Sequence, residues 1–469
     1  MPLAAILAAA VAGAAFTEKL DRDALAYVQP VIAFTHAEVV DGTGAAPRRD
    51  QTLVVRDGRI VALGPSASVK PPAGAEVIDA AGKTLLPGFV MVHEHMFYPE
   101  PKGGQYGEFP YSFSRLYLAG GTTTMRTAGT MAVLGDLNTR DLIASGKAAG
   151  PDIDVTGPYL DGAGILSVKM QALKDPADAR RTVDYWAGEG VTSFKAYMTI
   201  PKAVLGAAID QAHKRGIKVT GHLCSVTFRE AADLGVDNLE HAFEVATDFT
   251  PGKIEDGCPP GAAQSKSIAE LDPDGPEARE LMRHLIAKKV ALTSTLTVFE
   301  TSARDYPQAP LGARELLAPQ LRESYERIYA ARQASTQSVG AALKLKASMR
   351  MEKLFSDMGG VLLAGTDPTG FGGVIPGYSA KRQIELLVEE GHAFPAALKI
   401  STLNGARYLG RDREVGSLEV GKRADIVVVE GDPAADVKAI ERMPLVFKAG
   451  VGYRTQVFLD GLKGAIGLY

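Results

Sequence analysis

The sequence contains little cysteine and no excess of basic residues. Its 469 residues include two cysteines, Cys224 and Cys258, which exclude a disulfide framework and a cysteine-rich zinc fold and allow at most one disulfide. Lysine and arginine total 51 against 55 aspartates and glutamates, which gives a net charge of −4. Because nucleic-acid-binding proteins usually carry a basic excess or patch, we expect no nucleic-acid partner.

A charge-free apolar run occupies residues 3–16. It is shorter than the roughly 20 residues that a membrane-spanning helix needs, so we expect no stable membrane insertion. Its composition, with Ala12, Gly13 and Ala14 as small residues for cleavage, is typical of a secretory signal, although a positively charged lead-in is missing. Residues 1–29 are therefore interpreted as a signal peptide and leader of a periplasmic or secreted protein. The alternative is an apolar helix of the folded body in a cytoplasmic protein.

Short runs of aliphatic and β-branched residues, separated by Asp-Gly and Gly-Pro, fill residues 30–85. Similar short runs of aliphatic and β-branched residues occur within residues 410–469, in ADIVVVEGD, LVFKAGVGY and TQVFLDG. This pattern predicts a composite β-sandwich domain that is built from both ends of the chain.

The middle, residues 86–409, alternates between short apolar runs and stretches with helical spacing. The runs lie at 88–92, 122–127, 152–157, 191–196, 217–221, 237–240, 290–297 and 360–365. Eight strands alternating with helices predict an α/β fold of the (β/α)8, TIM-like barrel type. A helix-like stretch at 313–358 lies between the last two runs and is expected to cap one end of the barrel.

Six residues with metal-binding chemistry follow these runs, where the carboxyl ends of the strands of such a barrel converge. They are His93, His95, Lys195, His222, His241 and Asp367. In a strand, residues two apart point to the same side, so His93 and His95 can face one metal ion. Any one of these residues alone has an ordinary structural explanation, but together they predict a metal site.

The chain resembles the amidohydrolase superfamily, in the binuclear branch with a bridging lysine that includes imidazolonepropionase-like and prolidase-type enzymes. The resemblance rests on VVDGTG, LLPGFVMVHEH, GGTTTMRTAG, VTGH, LEHAF, LLAGTDP and EVGSLEVGKRADIVVVEGDP. It implies that His93 and His95 bind a first metal ion, that His222 and His241 bind a second, and that Lys195, N6-carboxylated by CO2, bridges both. It also implies that Asp367 binds the first metal and transfers the proton. Zinc suits these ligands best, with manganese, cobalt or iron as alternatives.

Two tyrosines and two arginines are the candidates for holding the substrate. Many relatives carry a Gly-Gly-His segment after the third strand, whereas this chain has GPYLDGAGILS, so Tyr159 or Tyr197 could replace that histidine. Arg126 could hold a substrate carboxylate by a bidentate pair, or form a structural salt bridge inside the barrel. Arg229 is a weaker candidate of the same kind. Cys224 is expected to be a packing residue rather than a ligand.

The leading hypothesis is a metal-dependent hydrolase of C–N bonds in a small-molecule amide or peptide: a dipeptide, an N-acyl amino acid or a related amide. A hydrolase of a cyclic amide or lactone is the alternative. A deaminase fits less well, because deaminases of this superfamily generally use one metal and lack the lysine. A non-enzymatic scaffold also fits less well, since all six ligand positions are filled. A homo-oligomer is compatible with the sequence.

Overall fold

A computed structural model describes residues 17–101, 105–369 and 372–469. The apolar run at residues 3–16 lies outside these residues, so its interpretation as a signal stays a prediction. Among the helices of the described parts, none combines the length and the apolar character needed to cross a bilayer.

Strands from both ends of the chain form one sheet. The N-terminal part contributes a short helix and six strands: α1 Lys19–Ala24, β1 Leu25–Tyr27, β2 Val31–Val39, β3 Arg48–Arg56, β4 Arg59–Pro65, β5 Glu76–Asp79 and β6 Lys83–Pro87. The middle of the chain contains strands β7–β16, which are given below. The C-terminal part adds β17 Ile426–Glu430, β18 Leu445–Lys448 and β19 Val451–Arg454.

The order across this sheet is β1-β19-β18-β17-β6-β2-β3-β4, and β5 also pairs with β2. The two ends of the chain meet where β6 runs antiparallel to β17, with Pro87 opposite Ile426. Apolar side chains of β2, β3, β17 and β18 pack in a cluster of their own, which includes Ile32, Leu53 and Phe447. The strands thus form a unit with its own core, although they belong to a single hydrogen-bonded sheet rather than two.

Eight further strands are parallel and follow one another in chain order: β7 Phe89–Glu94, β10 Thr122–Thr127, β11 Asp152–Asp154, β12 Ser193–Ala196, β13 Lys218–Gly221, β14 Asn238–Glu240, β15 Ala291–Ser294 and β16 Leu362–Ala364. They form a three-stranded and a five-stranded sheet. A bridge between Thr156 and Ser193 joins the sheets at one seam. At the other, the backbone N–H groups of Thr366 and Asp367 donate to the carbonyl of His93, each at 3.0 Å.

Helices connect and cover the parallel strands. They are α2 Pro110–Ala119, α3 Val133–Ala144, α4 Pro176–Gly188, α5 Lys202–Lys214, α6 Phe228–Leu234, α7 Gly261–Glu270, α8 Pro276–Ala287, α9 Leu296–Glu300, α10 Leu311–Glu315, α11 Pro319–Ala334, α12 Gln337–Asp357, α13 Ser379–Glu389, α14 Phe394–Lys399, α15 Gly405–Tyr408 and α16 Thr455–Gly461. A hairpin, β8 Phe97–Pro99 and β9 Tyr106–Glu108, follows β7.

Two predicted boundaries are corrected. The run at 290–297 is strand only over β15, because a helix, α9, begins at Leu296. The stretch at 313–358 is three helices rather than one. Pro319 stands at the start of α11, where its fixed φ and missing N–H are tolerated, so α10 ends before it.

Candidate metal centre

His241 and Asp367 reach the site through unusual backbone geometry at the ends of β14 and β16. Their φ angles are 67° and 49°, in the left-handed region that costs energy for any residue with a Cβ atom. Such strain persists only where the surrounding structure enforces it, and it is common at functional sites. Here it turns both side chains over the carboxyl ends of the strands.

The Asp367 carboxylate lies at the centre of the predicted ligands. The Nε2 atom of His95 is 3.2 Å from its Oδ1, and the Nε2 atoms of His93 and His241 are 3.6 and 3.9 Å from its Oδ2. Lys195 Nζ lies 3.2 Å from His93 Nε2. The rings of His222 and His241 touch, with centroids 4.4 Å apart. All six predicted ligands are therefore brought together.

His93 and His95 each have an oxygen acceptor at Nδ1. His93 Nδ1 lies 2.7 Å from Glu240 Oε2, and His95 Nδ1 lies 3.1 Å from the carbonyl oxygen of Gly129. Because carboxylate and carbonyl oxygens only accept, Nδ1 is the donor in both rings, which leaves Nε2 as an acceptor that faces Asp367. Burial lowers the pKa of His93 to about 4, so the ring is neutral near pH 7.

This arrangement fits a divalent metal. The lone pair on His95 Nε2 faces Asp367 Oδ1 at 3.2 Å, an arrangement that repels unless a cation lies between the two atoms. His241 Nε2 is buried and receives no hydrogen bond from any described residue. The ligand atoms of His93, His241 and Asp367 all lie within 4.8 Å of one another. Imidazole nitrogens and carboxylate oxygens are the ligands that zinc and similar ions take in proteins.

Lys195 is 1% exposed and has no carboxylate partner within ion-pair distance among the described residues. Burial lowers the pKa of its ammonium group to about 8. The amine is therefore partly neutral near physiological pH, and only a neutral amine has the lone pair that carboxylation requires.

Arg126 lies beneath the ligands and not in a cavity that a substrate could enter. It is 0% exposed. Its guanidinium donates to Ser193 Oγ at 2.8 Å, to Thr220 Oγ1 and the Val92 carbonyl at 2.9 Å, and to Glu240 Oε1 at 3.0 Å. The suggested contact with a substrate carboxylate is corrected, because the side chain is fully buried and most of its N–H donors have protein partners; the salt bridge inside the fold is what the structure contains.

Glu240 was not singled out from the sequence. It joins Arg126 to His93: burial opposes its ionisation, but His93 and Arg126 outweigh burial and hold its pKa well below the usual range. A carboxylate that accepts from the Nδ1–H of a metal-binding histidine fixes the ring and raises its basicity. In the sequence, the feature that points to Glu240 is its position directly before the predicted ligand His241 in LEHAF.

Glu94 has a similar supporting position. Its carboxylate accepts hydrogen bonds from the backbone N–H and hydroxyl of Thr366, at 3.0 and 2.6 Å. It therefore anchors the segment that carries Asp367 to the end of the strand that contains His93 and directly precedes His95.

A cavity of about 350 Å³ opens onto the cluster. Lys195, His222 and Asp367 line its floor, and Tyr159 and Tyr197 stand beside them with ring centroids 4.9 Å apart. Much of the remaining wall is apolar or aromatic and comes from the β8–β9 hairpin, α9 and α11. The structure thus brings both candidate tyrosines to the site.

Arg229 does not reach this cavity. It lies on α6, where its guanidinium pairs with Glu280 at 3.3 Å and its side chain is 42% exposed. The suggestion that it binds substrate is corrected, because the helix turns it outward. Cys224 is buried, and it is paired with Cys258, with Cα atoms 5.0 Å apart.

The comparisons with known proteins agree with this site. A model described as the amidohydrolase family matches residues 84–452. The imidazolonepropionase of Saccharopolyspora erythraea is 27% identical over 418 residues, 86% of this chain and 93% of that protein. The enamidase of Eubacterium barkeri is 26% identical over 210 residues, 43% of this chain and 52% of that enzyme, so this chain spans about half of its length.

Solved structures show the same fold. A Xaa-Pro dipeptidase with bound methionine superposes with a TM-score of 0.67 at 20% identity, over 90% of this chain and 100% of that one. Bottromycin amidohydrolase superposes with a TM-score of 0.71 at 20% identity, over 100% of this chain and 94% of that one. The family match covers most of the chain, and the protein therefore belongs to the amidohydrolase family, whose members hydrolyse C–N bonds.

Proposed function

We propose that the protein is a binuclear metal-dependent amidohydrolase that cleaves the C–N bond of a dipeptide, an N-acyl amino acid or a related amide. The observation that carries the proposal is the position of Asp367, whose carboxylate faces the Nε2 atoms of three histidines. The eight parallel strands are interpreted as a (β/α)8 barrel, in which catalytic residues gather at the carboxyl ends.

The six predicted ligands would be divided between two metal ions, and zinc is the ion used in the test. His93, His95 and Asp367 would hold the first ion, and His222 and His241 would hold the second. Carboxylated Lys195 would bridge them: its neutral amine attacks the carbon of CO2, a C=O electron pair moves to oxygen, and the nitrogen loses a proton. The resulting carbamate has two oxygens to offer in place of an ammonium that would repel cations.

When bound, the two ions would supply Lewis acidity toward a water and the substrate carbonyl. Side chains of the protein would then transfer the proton and orient the substrate. Asp367 accepts it from the attacking water and delivers it to the leaving nitrogen, as general base and then general acid. Tyr159 and Tyr197 orient the substrate. Burial raises the pKa of both phenols, so they stay protonated and can donate hydrogen bonds.

A second candidate is the hydrolysis of a cyclic amide or lactone at the same residues. It is favoured by the imidazolonepropionase relatives, named for a cyclic compound, which align over 80% and 86% of this chain. A panel of hydantoins and lactones would test it beside the linear amides.

The experiment is a metal analysis joined to a substrate panel. We expect about two zinc ions per chain and turnover of some dipeptides or N-acyl amino acids. Lys195→Ala should lose both metal and turnover, because the bridging group is missing. Lys214→Ala, an exposed lysine on α5, is the matched control. One ion per chain, or full activity in Lys195→Ala, would refute the bridged centre.

A further inference from the structure

A second cavity, of about 610 Å³, adjoins the catalytic one. Met131 and Tyr159 line both, so they form the boundary between them. The second cavity lies between the segment after β10 and helix α4, and neither element supplies a metal ligand. Its walls therefore belong to a separate part of the molecule that touches the site through two side chains.

The boundary is held in place by close packing. A Cβ atom on Gly129 would lie 2.5 Å from the Tyr159 ring, so the ring rests directly on that glycine. The carbonyl oxygen of Gly129 accepts from His95 Nδ1. Tyr159 is therefore fixed to the backbone that orients a ligand on one side, while its ring faces the second cavity on the other. Met131 is the flexible partner at this boundary.

The wall on α4 is aromatic and accessible. Tyr185 and Trp186 lie edge to face with centroids 5.0 Å apart, and Tyr185 is 60% exposed. Leu134 also lines the cavity and is 59% exposed. Exposed apolar side chains that line a concavity are typical of a ligand-binding surface.

The charge of the second cavity differs from that of the catalytic one. Lys169 and Arg181 line it, and no described lining residue is an aspartate or glutamate. Lys169 donates to the Tyr106 carbonyl and lies 3.8 Å from Glu108, and Arg181 donates to Asp178 at 2.9 Å. An ammonium has three N–H donors and a guanidinium five, so both keep donors for a further partner. The described lining of the catalytic cavity holds the two acids Glu100 and Asp367 and one cation, Lys195.

We propose that the second cavity binds the arm of the substrate remote from the scissile bond, and that this arm is an aromatic group carrying a carboxylate. The aromatic ring would pack against Tyr185 and Trp186, and the carboxylate would meet Arg181 and Lys169. The position of the arm in a substrate rests on the proposed function; the binding of an aromatic carboxylate in this cavity does not.

The chain contains one tryptophan, Trp186, so its fluorescence reports on this cavity. The probe is phenylacetate, titrated against phenylacetamide as the neutral analogue. We expect a saturable change in emission with phenylacetate and about fivefold weaker binding of phenylacetamide, as an exposed charge pair provides. Arg181→Gln should weaken phenylacetate to a similar extent, whereas Arg180→Gln, which alters the neighbouring arginine that pairs with Asp210, should not.

The titration is repeated on the Lys195→Ala variant, which we expect to hold little metal. In this variant the carboxylate of the probe has no metal ion to bind in place of the second cavity. A retained change supports the second cavity even if the enzyme hydrolyses no amide, so this proposal and the proposed function can fail separately. Loss of the change in Lys195→Ala, equal affinity for the two probes, or no change at all would overturn the proposal.

Kinetics test the arm itself. Among amides that the enzyme hydrolyses, those with an aryl-carboxylate arm should exceed truncated analogues in kcat/KM, and Arg181→Gln should reduce that ratio about fivefold. An unchanged ratio in Arg181→Gln would refute the placement of the arm.

Discussion

Two buried acidic side chains of this protein, Glu240 and Glu352, have opposite electrostatic surroundings. Glu240 lies between Arg126 and His93, with partners at 3.0 and 2.7 Å. Glu352, on α12, is equally buried, yet no lysine, arginine or histidine among the described residues lies within ion-pair distance of it. Burial and repulsion from Glu390 raise the pKa of Glu352 well above its usual range, while that of Glu240 is held well below.

This difference shows which surroundings keep a buried carboxylate ionised. An ionised carboxylate in a dry interior needs a cation and hydrogen bonds, which Arg126 supplies beneath the ligands. Glu352 has no such cation, and protonation removes its charge instead. Burial alone therefore does not mark a functional acid; the partners do.

The largest expected effect concerns the acid in the site itself. Asp367→Asn should lower kcat by about 10²- to 10⁴-fold, because an amide cannot accept and return the proton. The variant should keep much of its metal, since the histidines remain. Steady-state rates beside metal analysis measure both, and a near-normal rate would remove the proton role from Asp367.

Arg126→Met should have the next largest effect, on stability. It leaves the Glu240 charge buried without its cation, which costs about 3–5 kcal/mol in the free energy of unfolding. Urea unfolding measures the loss, with Arg180→Met as the exposed control and Arg126→Lys as a milder variant. A loss no larger than that of the control would mean that Glu240 needs no cation.

Glu240→Gln should weaken zinc binding by about 10- to 100-fold, because His93 loses a charged acceptor for its Nδ1–H. Competition with a chelator measures the affinity. Glu352→Gln is the comparison, since it removes an equally buried acid that touches no ligand, and its zinc affinity should equal that of the wild type. Equal losses of zinc affinity in the two variants would mean that the contact of Glu240 with His93 does not support metal binding.

The smallest effect is the pH dependence of stability from Glu352. A raised pKa means that the folded chain holds this proton more tightly than the unfolded chain does. The stability it contributes is therefore complete below the unfolded pKa, near 4.5, and is lost as pH rises toward the folded pKa.

Glu352→Gln should accordingly raise Tm at pH 8 by about 1–2 °C relative to wild type and change it less at pH 4. Glu270→Gln, an exposed residue on α7, is the control. A larger gain at pH 4 than at pH 8 would reverse the assigned sign.

The sequence indicates the ligands well because each one lies in or shortly after the carboxyl-terminal part of a short apolar strand. His93, Lys195 and His241 could be selected without knowing how the strands pack. The support around them could not, since Arg126 and Glu240 are 114 positions apart and meet only in the folded chain. The pairing of Cys224 with Cys258 and the cavity beside Tyr159 could not be predicted either, because both depend on loops whose sequences have no periodic pattern.

The sheet that joins the two ends of the chain has a consequence for synthesis on the ribosome. Lys83–Pro87 is made early, yet its antiparallel partner Ile426–Glu430 emerges only after all eight parallel strands. Until then one edge of β6 has no strand to pair with, and an unpaired edge invites association with other chains. The metal-binding strands are thus translated before the sheet next to them is complete, and release of the C-terminal strands ends this exposed period.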